Sequence, residues 1–114
     1  MTKYKVVLVP FPFDDLSSDK VRPAVCLTEP IGPYSHVILA FITSRISDRP
    51  LATDLELDLS DSDFASTGLS VSSTLRLHRL MTATTTLIRR ELGQLSPRLQ
   101  AQVDSRLRKL FGLE

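Results

Sequence analysis

Five polar residues near the ends of predicted strands have the types and spacing for chemistry on one substrate. Arg22 begins an apolar run, and Thr43 and Ser44 close the next one along the chain. Because antiparallel neighbours place the start of one strand beside the end of the other, we expect Arg22 and Thr43 to be neighbours. Arg76 and His78, two residues apart on a later strand, are expected to share a face. Guanidinium and hydroxyl donors together suit an anionic oxygen, above all that of a phosphodiester.

Each of these residues also has an ordinary structural interpretation. Pro23 holds the preceding Arg22 in an extended conformation, so this arginine is either a solvated rim residue or a charge aimed at a ligand. The hydroxyls of Thr43 and Ser44 either satisfy backbone groups at the strand end or face a ligand. His78 is either a solvated strand residue or a proton-exchanging group.

The residue inventory favours RNA cleavage without a metal or cofactor. The sequence has no cluster of His and Cys with metal-ligand spacing, no evident carboxylate pair and no glycine-rich phosphate loop. RNA carries its own nucleophile, the 2′-hydroxyl, beside the phosphorus. A protein then needs only to move protons and stabilise the charge on the phosphoryl oxygens. An arginine is almost never deprotonated at neutral pH, so His78 is the candidate base and Arg22 the group that neutralises the phosphate.

The elements that must position these residues are predicted from apolar periodicity. Strands are predicted over residues 5–13, 22–28, 36–44, 53–60 and 70–84, with a weaker tendency over 85–95. Ser96 and Pro97 are typical of a helix N-terminus, and Gly112 of its end. One helical apolar stripe follows from the spacing of Leu99, Val103, Leu107, Leu110 and Phe111. Short strands closed by one helix predict a mainly β fold, a small bent antiparallel sheet or barrel whose open side the helix covers.

Strict alternation over residues 53–60 predicts a half-exposed strand. Its predicted inward and outward residues are, respectively, Leu55, Leu57 and Leu59, and Asp54, Glu56 and Asp58. Gly68 follows in a turn, where a positive φ is expected. On the next strand Thr74, Arg76 and His78 alternate with leucines and are expected on one face.

Length and composition describe a single globular domain spanning residues 1–114, with 42% hydrophobic and 24% charged residues. No apolar run approaches the roughly 20 residues of a membrane span, and Pro10 and Pro12 interrupt the N-terminal run, so we expect a cytoplasmic protein without a membrane partner. The lone Cys26 lies inside an apolar strand, which predicts an inert core thiol.

The net charge of +1 conceals an asymmetry. Residues 1–75 contain six Lys or Arg and ten Asp or Glu, whereas residues 76–114 contain eight and three. An arginine-rich second part fits a phosphate-bearing or acidic partner, although the same residues also solvate the outer faces of a helix.

Several blocks, in this order and over nearly the whole chain, resemble the MazF/PemK family of toxin endoribonucleases. They read "VVLVPFPFDDLSSDKVRPAVCLT", "FITSR", "GLSVSSTLRLHRL" and "ELGQLSPRLQAQVDSRLRKLFGL". The resemblance implies an SH3-like β-barrel with a C-terminal helix. It also implies a homodimer that binds single-stranded RNA at the subunit interface, metal-independent cleavage, and a cognate antitoxin that covers the RNA groove.

The resemblance also implies roles for particular residues. Arg22 and Thr43 match the family's catalytic arginine and hydroxyl. The family often has an Arg-x-acid pair on the later strand, and here His78 stands where the acid is expected, so His78 is the third catalytic candidate. The residues predicted to bind RNA are Ser44, Arg76, Phe13 and Arg45. Phe13 is alternatively a core or loop anchor rather than a base-stacking ring.

Two other functions stay open at this point. One is a non-catalytic toxin that grips a protein partner, as the gyrase-poisoning CcdB proteins of this fold class do. The other is a catalytically weakened member of the family that binds RNA or antitoxin, which the histidine at position 78 suggests.

Overall fold

The computed structural model describes residues 1–10 and 20–113. Phe13 and most of the loop predicted over 14–20 lie outside the described residues. The strands are β1 (Lys5–Pro10), β2 (Val21–Cys26), β3 (His36–Thr43), β4 (Asp54–Leu57), β5 (Ser73–Thr84) and β6 (Arg90–Gln94), and the helix α1 spans Pro97–Leu110. Short 3₁₀ turns occupy Ala65–Thr67 and Thr85–Leu87.

These six strands form one antiparallel sheet in the order β4-β5-β3-β2-β1-β6. The predicted mainly β fold with a C-terminal helix is therefore confirmed. The region 85–95, for which only a weak strand tendency was expected, divides into a 3₁₀ turn and β6. Gly68 has a φ of 73°, the positive value expected at that turn.

Both faces of the sheet are apolar, which explains why β3, near its centre, is a continuous apolar run. One face packs on α1 and includes Val6, Val25, Ile42, Leu55, Leu75 and Leu77, which cluster with Leu99 and Val103 of the helix. The other includes Val7, Val9, Ala24, Cys26, Val37, Leu39, Phe41 and Ala83. Because the helix-side cluster draws residues from the edge strand β4 as well as from β1 and β2, the sheet curls around the helix.

Helix α1 begins and ends as its sequence predicts. The Ser96 hydroxyl accepts a hydrogen bond from the Leu99 backbone N–H at 3.2 Å, and Pro97 occupies the first turn. Leu99 and Val103 are buried, but Phe111 is 59% exposed, so the last member of the predicted stripe lies outside the core. The helix ends at Leu110, one residue earlier, which explains the difference.

Two predicted orientations on β4 are wrong. Leu59 is 61% exposed, although alternation predicted it inward. The strand ends at Leu57, and Asp58 starts a turn by accepting a hydrogen bond from the Ser60 N–H at 2.9 Å, so alternation no longer applies to Leu59. Asp54, predicted outward, is buried, and its partners are described below.

A register shift interrupts β5 where it pairs with β3. Leu75 stands opposite Ile42, but Leu80 stands opposite Ala40, so β5 has four residues between these pairs where β3 has one. The alternation of buried and more exposed residues holds through His78, as expected, and is broken just after it, where Arg79 and Leu80 are both exposed.

Candidate nucleic-acid interface

Arg22 and Thr43 lie near the same end of the sheet and line one groove. The paired part of β2 and β3 ends at Ala24 and Phe41, and the same register extended by two residues would set Arg22 opposite Thr43. Thr43 in turn pairs with Thr74 of β5. Directly opposite residues of an antiparallel sheet share a face, and neighbouring strands are about 4.8 Å apart. Thr43 and Thr74 therefore form one row across β3 and β5, and alternation from Ala24 puts Arg22 on the same face, opposite the helix.

The Thr43 hydroxyl can both satisfy a backbone group at the strand end and donate to a ligand. Its Oγ1 accepts a hydrogen bond from the Arg45 backbone N–H at 3.1 Å, which fixes the turn after β3. A hydroxyl that accepts one bond still has its own hydrogen to donate. Thr43 is half-buried and Ser44, the next residue, is exposed, so that hydrogen has access to a ligand.

A groove of about 790 Å³ lies beside this row. Four arginines line it, namely Arg22, Arg45, Arg76 and Arg79, and so do five hydroxyl residues, Thr43, Ser44, Ser47, Ser70 and Ser73. Among the described residues that line the groove, none is acidic. Such a surface attracts an anion and offers it many hydrogen-bond donors.

Arg76 forms an ion pair with the buried carboxylate of Asp54. Its Nε donates to Asp54 Oδ1 at 2.9 Å across the β4–β5 ladder, and the other carboxylate oxygen accepts from the Leu51 N–H at 2.9 Å. The Asp54 side chain is 2% exposed, whereas that of Arg76 is 26% exposed. Arg106 of α1 donates to the Asp54 backbone carbonyl at 2.9 Å, so this residue joins the helix to the groove wall.

The structure brings together most, though not all, of the predicted site residues. Those that line the groove are Arg22, Thr43, Ser44, Arg45 and Arg76. His78 is exposed and does not line it, whereas Arg79, the next residue in the irregular part of β5, does. Arg79 was not among the predicted site residues. The apolar spacing signals it, because that spacing changes from two residues (Leu75 to Leu77) to three (Leu77 to Leu80).

Other chemistries have less support in the described part of the chain. Within residues 1–10 and 20–113, no three His, Cys, Asp or Glu side chains lie close enough together to hold a metal ion. Burial raises the pKa of the Cys26 thiol to about 11, as predicted for an inert core cysteine. No helix in these ranges is long and apolar enough to span a membrane.

The fold and groove define a small mainly β protein with a cationic cleft at one end of its sheet. Residues 2–111 match the family model of PemK-like, MazF-like toxins of type II toxin–antitoxin systems. Because that match spans almost the whole chain, the protein belongs to this toxin family, as the resemblance of the sequence blocks indicated.

Solved structures share the fold at low sequence identity. The toxin MazF-mt6 of Mycobacterium tuberculosis is 22% identical, with a TM-score of 0.73 over 96% of this chain and 98% of that chain. An endoribonuclease in complex with its cognate antitoxin, from a mycobacterial species, is 14% identical, with a TM-score of 0.75 over 100% and 97%. The MazE–MazF structure of Deinococcus radiodurans is 18% identical, with a TM-score of 0.68 over 100% and 97%. No curated protein sequence matches the chain significantly.

Proposed function

We propose that this protein is the toxin of a type II toxin–antitoxin pair. In this proposal it acts in the cytoplasm as a metal-independent endoribonuclease on single-stranded RNA. The observation that carries the proposal is a groove lined by Arg22, by the Thr43 hydroxyl and by three further arginines. A solved structure of the same fold is an endoribonuclease in complex with its cognate antitoxin, which agrees with the proposal.

The cleavage step uses the substrate's own nucleophile. The 2′-oxygen bonds to the adjacent phosphorus while the bond from phosphorus to the 5′-oxygen breaks. The proton of the 2′-hydroxyl passes to a base, and the 5′-oxygen gains a proton as it leaves. The products are a 2′,3′-cyclic phosphate and a 5′-hydroxyl end.

Arg22 and Thr43 act on the phosphate in this scheme. The guanidinium neutralises the two non-bridging oxygens, whose charge increases in the transition state, and donates hydrogen bonds to them. The Thr43 hydroxyl donates to one of the same oxygens while its own oxygen stays bonded to the Arg45 N–H. Ser44 and Arg45, next along the chain, bind the neighbouring backbone.

His78 is the proposed base. It lies outside the groove lining but immediately precedes Arg79, which lines the groove. Catalytic hydrogen bonds are often long in a protein without substrate and shorten in the complex. The position of His78 beside the groove lining is therefore compatible with its role as base.

The proposal includes two protein partners, a cognate antitoxin and a second copy of this chain. Relatives of this fold have been solved with a cognate antitoxin or with MazE. Here the groove combines arginines with two exposed apolar residues on its rim, Ile46 at 89% and Val71 at 52% exposure. An acidic antitoxin segment with apolar side chains fits that combination. We also propose a homodimer, for which light scattering should give twice the chain mass of 12.7 kDa.

The test is cleavage of a long single-stranded RNA in EDTA, with the new ends identified chemically. We expect the wild type to leave 2′,3′-cyclic phosphate and 5′-hydroxyl ends. Arg22→Ala and Thr43→Ala should each reduce the rate at least about 100-fold, because each removes a donor from the transition state. Thr43→Ser keeps the hydroxyl and should restore most of the activity.

Lys109→Ala is the matched control, since it removes one exposed positive charge at the end of α1, outside the groove lining. Intact RNA with the wild type would favour a protein-gripping or weakened toxin. Cleavage that appears only after a divalent metal is added would refute metal independence. Full activity of Arg22→Ala would place the chemistry elsewhere.

A further inference from the structure

The guanidinium of Arg76 is held by a buried carboxylate. Its Nε is occupied by Asp54 Oδ1, and the carboxylate is fixed on its other side by the Leu51 N–H. The Asp54 side chain is almost fully buried, so the pair lies behind the groove surface, with only part of Arg76 reaching it. Among the described residues, no other hydrogen bond to the Arg76 guanidinium is formed, so both of its Nη groups have donors for a ligand.

This arrangement changes what Arg76 is suited to bind. The buried carboxylate compensates the charge of the guanidinium, which weakens its attraction for a phosphate. It leaves the planar donor geometry intact and removes much of the side chain's freedom. A rigid, charge-compensated pair of N–H donors matches a neutral group with two acceptors side by side. Cytosine has such a pair at O2 and N3, and guanine has one at O6 and N7, which is the commonest specific target of an arginine.

The position of Arg76 suits a base beside the cleaved phosphate. It lies two residues from Thr74 on β5, a rise of about 6–7 Å from the row that contains Thr43. Single-stranded RNA exposes its base edges to side chains at such a distance.

We propose that Arg76 selects a guanine next to the scissile phosphate and that Asp54 is the positioning residue that orients it. This inference rests on the proposed function and adds the base preference of the same site. Asp54 touches no substrate in this scheme. It acts only through the guanidinium of Arg76.

The first experiment maps cut ends on a long RNA of mixed sequence. We expect wild-type cuts to be enriched at least about fivefold for guanine over adenine at one fixed position, the selectivity that a bidentate contact supplies. Arg76→Gln and Asp54→Asn should each abolish that enrichment. Glu56→Gln, which removes an exposed carboxylate two residues further along β4, is the matched control and should keep it. Thr43→Ala should slow cleavage at all sites equally without changing the base profile.

The second experiment uses the unaltered protein and needs no cleavage. Short 2′-O-methyl RNAs, which cannot attack their own phosphates, carry one guanine, one adenine or one 7-deazaguanine, which lacks the N7 acceptor. We expect the guanine RNA to bind at least about fivefold more tightly than either of the others in fluorescence anisotropy.

The outcomes separate this inference from the proposed function. Cleavage without guanine enrichment, or enrichment that survives Arg76→Gln, overturns the inference and leaves the nuclease proposal standing. If the wild type cuts no RNA, the nuclease proposal fails and the binding experiment decides: a preference for guanine over 7-deazaguanine supports base selection, and equal binding overturns it. The binding experiment also decides if the variants do not fold.

Discussion

Asp54 and Arg76 form a hydrogen-bonded ion pair of 2.9 Å across the β4–β5 ladder, with the carboxylate buried and the guanidinium partly exposed. The pair both links elements of the fold and forms part of the groove. On the buried side, Asp54 links the 45–53 loop, β5 and α1 through the Leu51 N–H, Arg76 and Arg106. On the exposed side, Arg76 forms part of the groove wall.

The two members of this pair should differ in their effect on stability. Arg76→Ala leaves a buried carboxylate without its cation and should lower the free energy of unfolding by about 3–5 kcal/mol. Asp54→Asn leaves a partly exposed guanidinium that water can solvate and one unsatisfied donor, so we expect about 1–3 kcal/mol. Urea unfolding followed by circular dichroism measures both. Equal losses would mean that the buried carboxylate does not depend on Arg76.

His78→Gln tests the proposed base directly. The amide keeps the polarity of the side chain but exchanges no proton near neutral pH, so kcat should fall at least about 100-fold with little change in KM. Initial rates on a fluorogenic RNA at several substrate concentrations give both constants for the wild type and the variant. An unchanged kcat in the variant would assign the proton transfer to another group or to solvent.

Gly93→Ala should strongly destabilise the protein through packing. A Cβ at this position would lie 2.2 Å from the Ser66 carbonyl oxygen, so the 3₁₀ turn at Ala65–Thr67 would have to move away from β6. We expect a loss of about 3 kcal/mol in urea unfolding. Gly32→Ala is the control, because its Cβ would meet nothing within 4 Å and only its φ of +72° is unfavourable, for about 1–2 kcal/mol. Similar losses for the two variants would contradict the close packing.

Cys26 should be unreactive until the protein unfolds. Its pKa is raised from 9.0 to about 11, mainly by burial and also by the carboxylate of Glu91, so little thiolate forms at pH 8. Iodoacetamide at pH 8 should label the native protein more than about 100-fold more slowly than the protein in concentrated urea. Rapid labelling of the native protein would show that this face of the sheet opens readily.

The raised pKa of Cys26 also determines in which direction the stability of the protein changes with pH. The unfolded chain ionises Cys26 first, because its thiol has the lower pKa there. The stability contributed by the protonated thiol is therefore complete below pH 9.0 and is lost as the pH rises towards about 11. Cys26→Ala should remove this part of the alkaline loss in stability.

That Arg22 and Thr43 line the same groove was predictable because it depends on local patterns. The Arg-Pro pair marks the start of β2, the hydroxyl pair marks the end of β3, and a short connection makes the two strands antiparallel neighbours. The helix was predictable for the same reason, since its cap and apolar stripe lie within 17 consecutive residues, 96–112.

The places of Asp54, His78 and Arg79 were not predictable in this way. Asp54 is buried because an arginine 22 residues later in the chain satisfies one of its oxygens, and alternation within β4 carries no information about that partner. The register shift in β5 arises from its pairing with β3, and Arg79 rather than His78 lines the groove there.

The order of residues in this chain by itself determined the kinds of elements, their sequence along the chain and the family, because capping, turn chemistry and periodicity act over a few neighbouring residues. Only the tertiary structure decided which side chains line the groove and which charge lies behind it. Register shifts and buried ion pairs depend on free energies of contact between residues that are distant along the chain, and those contacts exist only once the sheet has closed around its helix.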